Sequence, residues 1–393
     1  MPVDSSQPLE RQSFQELVPV RFLLLVSATG GGHLASASAV QDAMSELFPS
    51  SQCTIYDPFQ SAGSATSLFV GLYSPILRYA RWLWGFLYHL FDRAISFWIL
   101  IHVVRYVIQG NIKRAIITNS PHVIVSFHPL TNHVVGHVLK SLPIRHPFAV
   151  VITDWQDIHR AWICPAARTT ITPSPEATAA CIRSGLPLSR ITELALPIHK
   201  AFFSSACDRL SARQAIGFDD TIFTVLVLGG GDGSGQLCKR TASILEACPG
   251  VQVITVCGNN QREKVKLEKL IPRYHDRLRV YGFVTNMPEL MYMSDLIVTK
   301  AGPGAIAEAL ATQTPMIITW YAPGQEHGNV QYVTDHGLGL YVPGIRRLGR
   351  VTRNLAKSNS RQYQYIKNNV TANVPRYDAR HTATALMALY RTQ

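Results

Sequence analysis

Leu23-Leu24-Leu25-Val26-Ser27-Ala28-Thr29-Gly30-Gly31-Gly32-His33 and Val225-Leu226-Val227-Leu228-Gly229-Gly230-Gly231-Asp232-Gly233 write one device twice, once in each half of the chain. An apolar run is followed by a glycine cluster and then by a helical pattern. Continuous apolar runs of this length read as strands buried on both faces of a parallel sheet. Glycines at the strand exit let the backbone turn sharply and bring N–H groups close to an anion, where the following helix start adds a favourable field. Tight strand-to-helix turns with no ligand are the plainer reading of either cluster alone.

Working outward, similar runs recur at 22–28, 53–56, 123–127, 148–153, 169–172 and 191–196, and again at 223–228, 252–257, 279–283, 296–299, 316–319 and 338–342. Helical patterns separate them, at 35–47, 236–247, 262–270, 287–293 and 304–311. Alternating strands and helices predict an α/β fold of two Rossmann-like domains facing across a cleft, with ligands at the carboxyl ends of the strands. The boundary falls near 197–210. Residues 1–200 are expected to form the first domain, 201–372 the second, and 373–393 a helix returning to the first.

The chain has 393 residues, enough for two domains at roughly 150 each. It carries 37 Lys and Arg against 25 Asp and Glu, a net charge of +12, yet only 16% of residues are charged and 47% are hydrophobic. That excludes intrinsic disorder and suits a protein that works against an anionic surface. The seven cysteines are scattered without a C-x-x-C pair, which predicts reduced thiols and no cysteine zinc site. Residues 1–19 lack the apolar core of a secretory signal and read as a frayed leader.

The richest apolar stretch is 68–108. Arg78, Arg81, Asp92, Arg93 and Arg105 interrupt it, so no uncharged window reaches the ~20 residues of a membrane span. Trp82, Trp84 and Trp98 beside Arg78 and Arg81 suit helices lying in the headgroup boundary, where a ring has an apolar body and a polar edge. A core helical hairpin is the alternative. Residues 345–393 hold ten Lys/Arg and one acid, Asp378. Such a segment is drawn to anionic lipid; no nucleic-acid module accompanies it.

Neither glycine cluster is a G-x-G-x-x-G fingerprint, and Gln236 stands where a P-loop needs lysine. No D-x-D motif is present, which argues against a metal-held sugar nucleotide. Thr299-Lys300-Ala301-Gly302-Pro303-Gly304-Ala305-Ile306-Ala307-Glu308 follows a strand and opens a helix, a second anion-binding start. Glu308, one turn in, is suited to accept from two vicinal ribose hydroxyls. Pro323-Gly324-Gln325-Glu326-His327-Gly328-Asn329 groups three polar side chains, Gln325, Glu326 and Asn329, that could grip a sugar.

With these motifs go His128-Pro129-Leu130, Val151-Ile152-Thr153-Asp154, His159-x-x-Trp162, Pro173-Ser174-x-Glu176 and Gly282-Phe283-Val284. In this order they resemble the monogalactosyldiacylglycerol synthase and processive diacylglycerol glucosyltransferase family, relatives of the peptidoglycan N-acetylglucosaminyltransferase with the GT-B fold. The resemblance runs from about Arg21 to Val342. It implies inverting transfer of a hexose from UDP-galactose or UDP-glucose to the 3-hydroxyl of 1,2-diacylglycerol, with no cofactor and no active-site metal. The enzyme would lie peripherally on the cytoplasmic face of a membrane bearing anionic phospholipid, with no nucleic-acid partner. Transfer of N-acetylglucosamine from its UDP-sugar to a lipid-linked cell-wall precursor is the alternative.

By the same resemblance His33 matches the general base, a task that suits a neutral imidazole, although a helix-capping histidine would look the same. Asp154 would orient that base or the acceptor. Gly31, Gly32 and His128 belong to the acceptor side. Gly229, Gly230, Gly302, Pro303 and Gly304 match the diphosphate cradle, Phe283 and Val284 the uracil turn, and Glu308 the ribose ligand. Gln325, Glu326 and Asn329 match the sugar and nearby phosphate contacts. Three positions depart from the family pattern: Trp155 for Leu or Tyr, Asp232 for Glu, and Ala305 for Thr.

Overall fold

The structure is a computed structural model that describes residues 19–27, 31–60, 76, 80–143, 146–204, 208–231 and 233–392, with Arg81 described by its backbone alone. The expected leader up to residue 18, Arg78, Cys207 and Asp232 lie outside the described residues. Twelve strands are described: β1 (Arg21–Leu25), β2 (Gln52–Tyr56), β3 (Val123–Ser126), β4 (Phe148–Val151), β5 (Thr169–Thr172), β6 (Ile191–Glu193), β7 (Phe223–Leu228), β8 (Val251–Val256), β9 (Leu278–Tyr281), β10 (Leu296–Lys300), β11 (Met316–Trp320) and β12 (Gly339–Tyr341). They form two six-stranded parallel sheets, ordered β2-β1-β3-β4-β5-β6 and β12-β11-β10-β7-β8-β9. Every run read as a strand in the sequence is one.

The described α-helices are α1 (Gly32–Leu47), α2 (Arg81–Phe91), α3 (Ala94–Asn119), α4 (Pro129–Lys140), α5 (Pro175–Arg183), α6 (Arg209–Ala215), α7 (Leu237–Ala247), α8 (Gln261–Glu268), α9 (Met287–Tyr292), α10 (Pro303–Ala311), α11 (His327–Asp335), α12 (Ile345–Leu355), α13 (Arg361–Ala372) and α14 (Ala379–Arg391). Side chains alternate across the first sheet, as the strand period requires. Leu23 and Leu25 of β1 face a core shared with Ile108, Ile112 and Ile116 of α3 and with Val134 and Val138 of α4. Phe22 and Leu24 face the opposite core, where Val40 and Met44 of α1 meet Leu386 and Met387 of α14. The last helix of the chain thus completes the first domain.

The apolar stretch resolves into a hairpin of α2 and α3. By length and composition α3, 26 residues and about 39 Å long, is the one helix among the described residues that could cross a bilayer. Its stripe of Phe97, Ile101, Val104, Ile108 and Ile112 is nevertheless buried. The core reading holds for one face of the stretch, and the other face is exposed. The inner stripe is core, while Trp82 is 76% exposed and Ile95, Trp98, Ile99, Val103 and Tyr106 also face outward.

Each sheet reverses direction at one point, between β1 and β3 in the first and between β7 and β10 in the second. Loops leaving adjacent strands diverge there and open a crevice. The two strand–glycine–helix motifs both leave from these reversal points, which is why they line one cleft.

Candidate active site

His33 is the second residue of α1, and Gly31 is that helix's N-cap. A side chain at Gly31 or Gly32 would meet no atom within 4 Å, so the helix start opens into free space. His128 lies two residues past β3, beside β1, and its ring stands edge-on to that of His33 at 5.0 Å. Phe59 packs on the other side of His128 at 5.6 Å. His33 is only 8% exposed. Burial pushes its imidazole down to about 4; the charge of Lys300 across the crevice acts in the same direction, and a backbone contact to Phe127 opposes both. Burial also holds His128 well below the usual imidazole range, with His33 adding to it. Both rings are therefore neutral at physiological pH.

Asp154, expected to orient this base or the acceptor, does not bond the base. His33 Nδ1 meets the hydroxyl of Thr153 at 3.0 Å, whereas the Asp154 carboxylate accepts the indole N–H of Trp162 at 2.6 Å. Residues 153 and 154 follow β4 in an extended chain, so their side chains point opposite ways and only one can reach α1. Burial raises Asp154 to about 7, with the charge of Glu326 adding to the effect and the Trp162 bond opposing it.

On the facing domain, the loop after β7 closes on itself through Gly233 N–H to Gly230 O and Ser234 N–H to Gly229 O, both 3.0 Å. Gly233 has φ +57°, and a Cβ there would lie 1.9 Å from the carbonyl oxygen of Cys257. No side chain fits that turn. After β10, Gly302 caps α10 and Pro303 and Gly304 begin it. Between the two loops lies Lys300, whose Cε would sit 3.4 Å from a Cβ at Gly230 and 3.3 Å from one at Gly302. Its ammonium pairs with Glu326 at 2.7 Å and lies 5.6 Å from the Trp320 ring centre. A lysine ending a strand just ahead of an anion-binding helix start was the available sequence signal for this cation.

Glu308 is half-buried, and its side chain has no hydrogen-bond partner among the described residues. The protein packed around it pushes its carboxyl up to about 8. An unpaired, poorly solvated carboxylate is a strong acceptor awaiting donors. Phe283, just past β9, is 68% exposed and offers a free ring face, while Val284 packs on the core. The helices bearing His33 and Glu308 touch across the crevice.

Two sugar contacts expected from sequence are already committed inside the protein. Glu326 holds Lys300 with one oxygen and accepts the Ala322 N–H at 2.8 Å with the other. Asn329 accepts the backbone N–H of Trp155 at 3.1 Å and donates to Ala301 O at 3.0 Å. Gln325 is half-buried on the same loop. Asn329 and Trp155 together clamp the domains, for the Trp155 indole also donates to Pro303 O at 3.2 Å and stacks on Tyr332 at 4.7 Å. The loop bearing Gln325 meets α2 as well. A Cβ on Gly85 would lie 2.9 Å from Pro323, and one on Gly324 2.5 Å from Tyr88. The aromatic hairpin therefore reaches the donor side of the cleft mouth, with half-buried Trp84 on the same helix.

No group of His, Cys, Asp and Glu among the described residues is arranged to hold a metal ion.

Comparison with known proteins gives a match to the family described as monogalactosyldiacylglycerol (MGDG) synthase over residues 33–198, and to the glycosyltransferase family 28 C-terminal domain over residues 224–382. Monogalactosyldiacylglycerol synthase 2, chloroplastic, of Arabidopsis thaliana is 31% identical over 364 residues, covering 87% of this chain and 76% of its own. Monogalactosyldiacylglycerol synthase 1, chloroplastic, of the same plant is 30% identical over 372 residues, covering 89% and 67%. Among solved structures, Acinetobacter baumannii MurG superposes with a TM-score of 0.61 at 14% identity, covering 94% of this chain and all of that one. Anabaena HepE in complex with UDP-glucose gives 0.55 at 16%, covering 95% and 100%. At such identities the structures speak for the GT-B fold alone.

Proposed function

The chain belongs to the monogalactosyldiacylglycerol synthase family of glycosyltransferases, and from that premise we propose that it transfers galactose or glucose from the UDP-sugar to the 3-hydroxyl of 1,2-diacylglycerol, forming a β-glycosyldiacylglycerol. The observation that carries this reading is the pairing across one crevice of a neutral, buried His33 with an unpartnered Glu308 and two glycine-lined helix starts. The exposed aromatic face of α2 and α3 beside the cleft mouth fits a peripheral enzyme that takes its acceptor from an anionic lipid surface on the cytoplasmic face.

In the reaction the acceptor oxygen forms a bond to C1 of the sugar as the bond from C1 to the diphosphate oxygen breaks. The hydroxyl proton passes to the His33 imidazole; in the tautomer that donates Nδ1–H to Thr153, Nε2 keeps the lone pair for this. Electron density moves onto UDP. The N–H groups of the Gly229–Gly230 loop, the start of α10 and the Lys300 ammonium meet that charge where water is scarce and electrostatic contacts are strongest. With these groups in place, no metal ion is required. Glu308 accepts from the ribose hydroxyls, Phe283 and Val284 flank the uracil, and Gln325 contacts the hexose.

The test offers UDP-galactose, UDP-glucose and UDP-N-acetylglucosamine in turn with diacylglycerol or a lipid pyrophosphate in anionic vesicles, with and without a chelator, and identifies the glycolipid by mass and linkage. A β-hexosyldiacylglycerol formed in chelator is expected. Transfer of N-acetylglucosamine to a lipid pyrophosphate, with diacylglycerol inert, would overturn the proposal. His33→Ala should lose ~10²–10⁴ in turnover and still bind UDP.

A further inference from the structure

Tyr88 stands where three parts of the protein meet. Gly85 and Tyr88 are one turn apart on α2 and therefore share a face. That face lies on Pro323 and Gly324 of the second domain. The Tyr88 ring is also 4.7 Å from the ring of His159 in the first domain. Asp92, the C-cap of α2, fastens the end of the helix there. It accepts the Arg160 N–H at 2.9 Å and stands 3.6 Å from His159 Nε2. α2 thus spans the cleft mouth, from the segment after β4 to the loop that carries Gln325.

The direction of the side chain follows from what touches it. A Cβ on Gly324, whose φ of +79° suits glycine, would meet Cδ1, Cγ and Cβ of Tyr88 at 2.5, 2.8 and 3.0 Å. The loop therefore covers the root of the phenol, and the hydroxyl end projects beyond it. That hydroxyl is buried without a hydrogen-bond partner among the described residues. Burial holds the phenol well above its usual range, and the carboxylates of Asp154, Asp92 and Asp157 add to the effect. The group is protonated at neutral pH and available as a donor. Asp154 leads inward to the base, since its carboxylate holds Trp162, whose ring lies 6.0 Å from that of His33. The hydroxyl accordingly sits between the histidine side of the crevice and the loop of Gln325, the space the hexose takes in the transfer described above. A buried hydroxyl left unpaired costs free energy, and a ligand that brings an acceptor recovers it.

We infer that the Tyr88 hydroxyl donates a hydrogen bond to a hydroxyl of the transferred hexose, and so takes part in choosing the donor sugar. This rests on the crevice being a UDP-hexose site, and adds a sugar contact that comes from the first domain. One donor at one fixed place reads one ring position. A hexose lacking the oxygen there, or holding it on the other side of the ring, leaves the phenol unpaired and is bound less well.

The test is titration calorimetry on the full chain, comparing the parent with Tyr88→Phe, which keeps the ring on His159 and Gly324. UDP affinity should be equal in the two, while affinity for the UDP-hexose that the parent prefers falls about 3- to 10-fold. Among UDP-hexoses deoxygenated at one ring position each, one should bind both proteins equally well, and its missing hydroxyl is the partner. Without ligand the variant should melt no lower than the parent, having shed an unpaired buried group. Equal affinities for the UDP-hexose, or a loss matched by UDP alone, would overturn the contact. So would a lower melting temperature, which would place the hydroxyl's partner inside the protein. A parent that binds no UDP-hexose would instead sink the donor reading, and the contact with it.

Discussion

Replacing Glu308 by glutamine should make the unliganded protein more stable while impairing its grip on UDP. The side chain sits on α10 without a partner, and its carboxyl is raised from 4.5 to about 8 by burial. A group with a raised folded pKa holds its proton where the unfolded chain has lost it, so stability falls as pH climbs from ~4.5 toward ~8. At ~1.4 kcal/mol per unit the ceiling is about 4–5 kcal/mol at pH 8. Part of the side chain still meets solvent, and discounting for that screening leaves about 2 kcal/mol. Glu308→Gln removes this cost, so at pH 8 it should melt about 4–8 °C higher than the parent, with the difference vanishing below pH ~4.5. A charge-assisted acceptor is worth ~1.5–3 kcal/mol, so UDP affinity should fall about 10- to 150-fold. Hydroxyl donors favour the ionised carboxylate, so UDP binding near pH 7 should release a proton from the parent and none from the variant. Thermal melts across pH and titration calorimetry in buffers of differing ionisation heat read all of this. A variant less stable at pH 8, or one that binds UDP as tightly as the parent, would refute the reasoning.

His33 works in the opposite sense. Its folded value near 4 lies below the ordinary 6.5, so the unfolded chain binds the extra proton and stability drops by at most about 3 kcal/mol between pH ~6.5 and ~4; denaturant melts should show that slope missing in His33→Gln. Thr153→Val should cut kcat about 10- to 100-fold, less than the ~10²–10⁴ of losing the base itself, leave UDP affinity unchanged and shift the acid limb of the rate profile, with Thr153→Ser restoring both. Trp155→Phe keeps the stack on Tyr332 and loses the indole donor to Pro303, costing about 1 kcal/mol in urea unfolding; Trp155→Ala should cost about 3–5 kcal/mol.

The strands were readable because most are short runs rich in apolar and β-branched residues, and the first and third runs lie next to each other at a reversal point. Adjacency of those runs brings His33 to His128, a contact across nearly a hundred positions that follows from the fold alone. What sequence left hidden is the direction in which polar side chains turn. Asn329 and Glu326 stand in a loop rich in hydrogen-bonding groups, which marks them for a sugar, while the structure also bonds them to a buried backbone N–H at Trp155 and an ammonium at Lys300. Nothing local to position 329 reports a need at position 155. Likewise Thr153 and Asp154 are neighbours of similar promise, and only the side-to-side alternation of extended chain decides which of them reaches the histidine.

The return of α14 to lie on α1 has a bearing on how the protein is made. Val40 and Met44 have Leu386 and Met387 as neighbours, and those residues are made only after the second domain. Amino-terminal domains ordinarily fold while the rest of a chain is still being synthesised. Here the amino-terminal sheet must wait, one greasy flank uncovered, until the whole second domain has been synthesised. Maturation of the two halves is thereby reversed relative to their order in the gene.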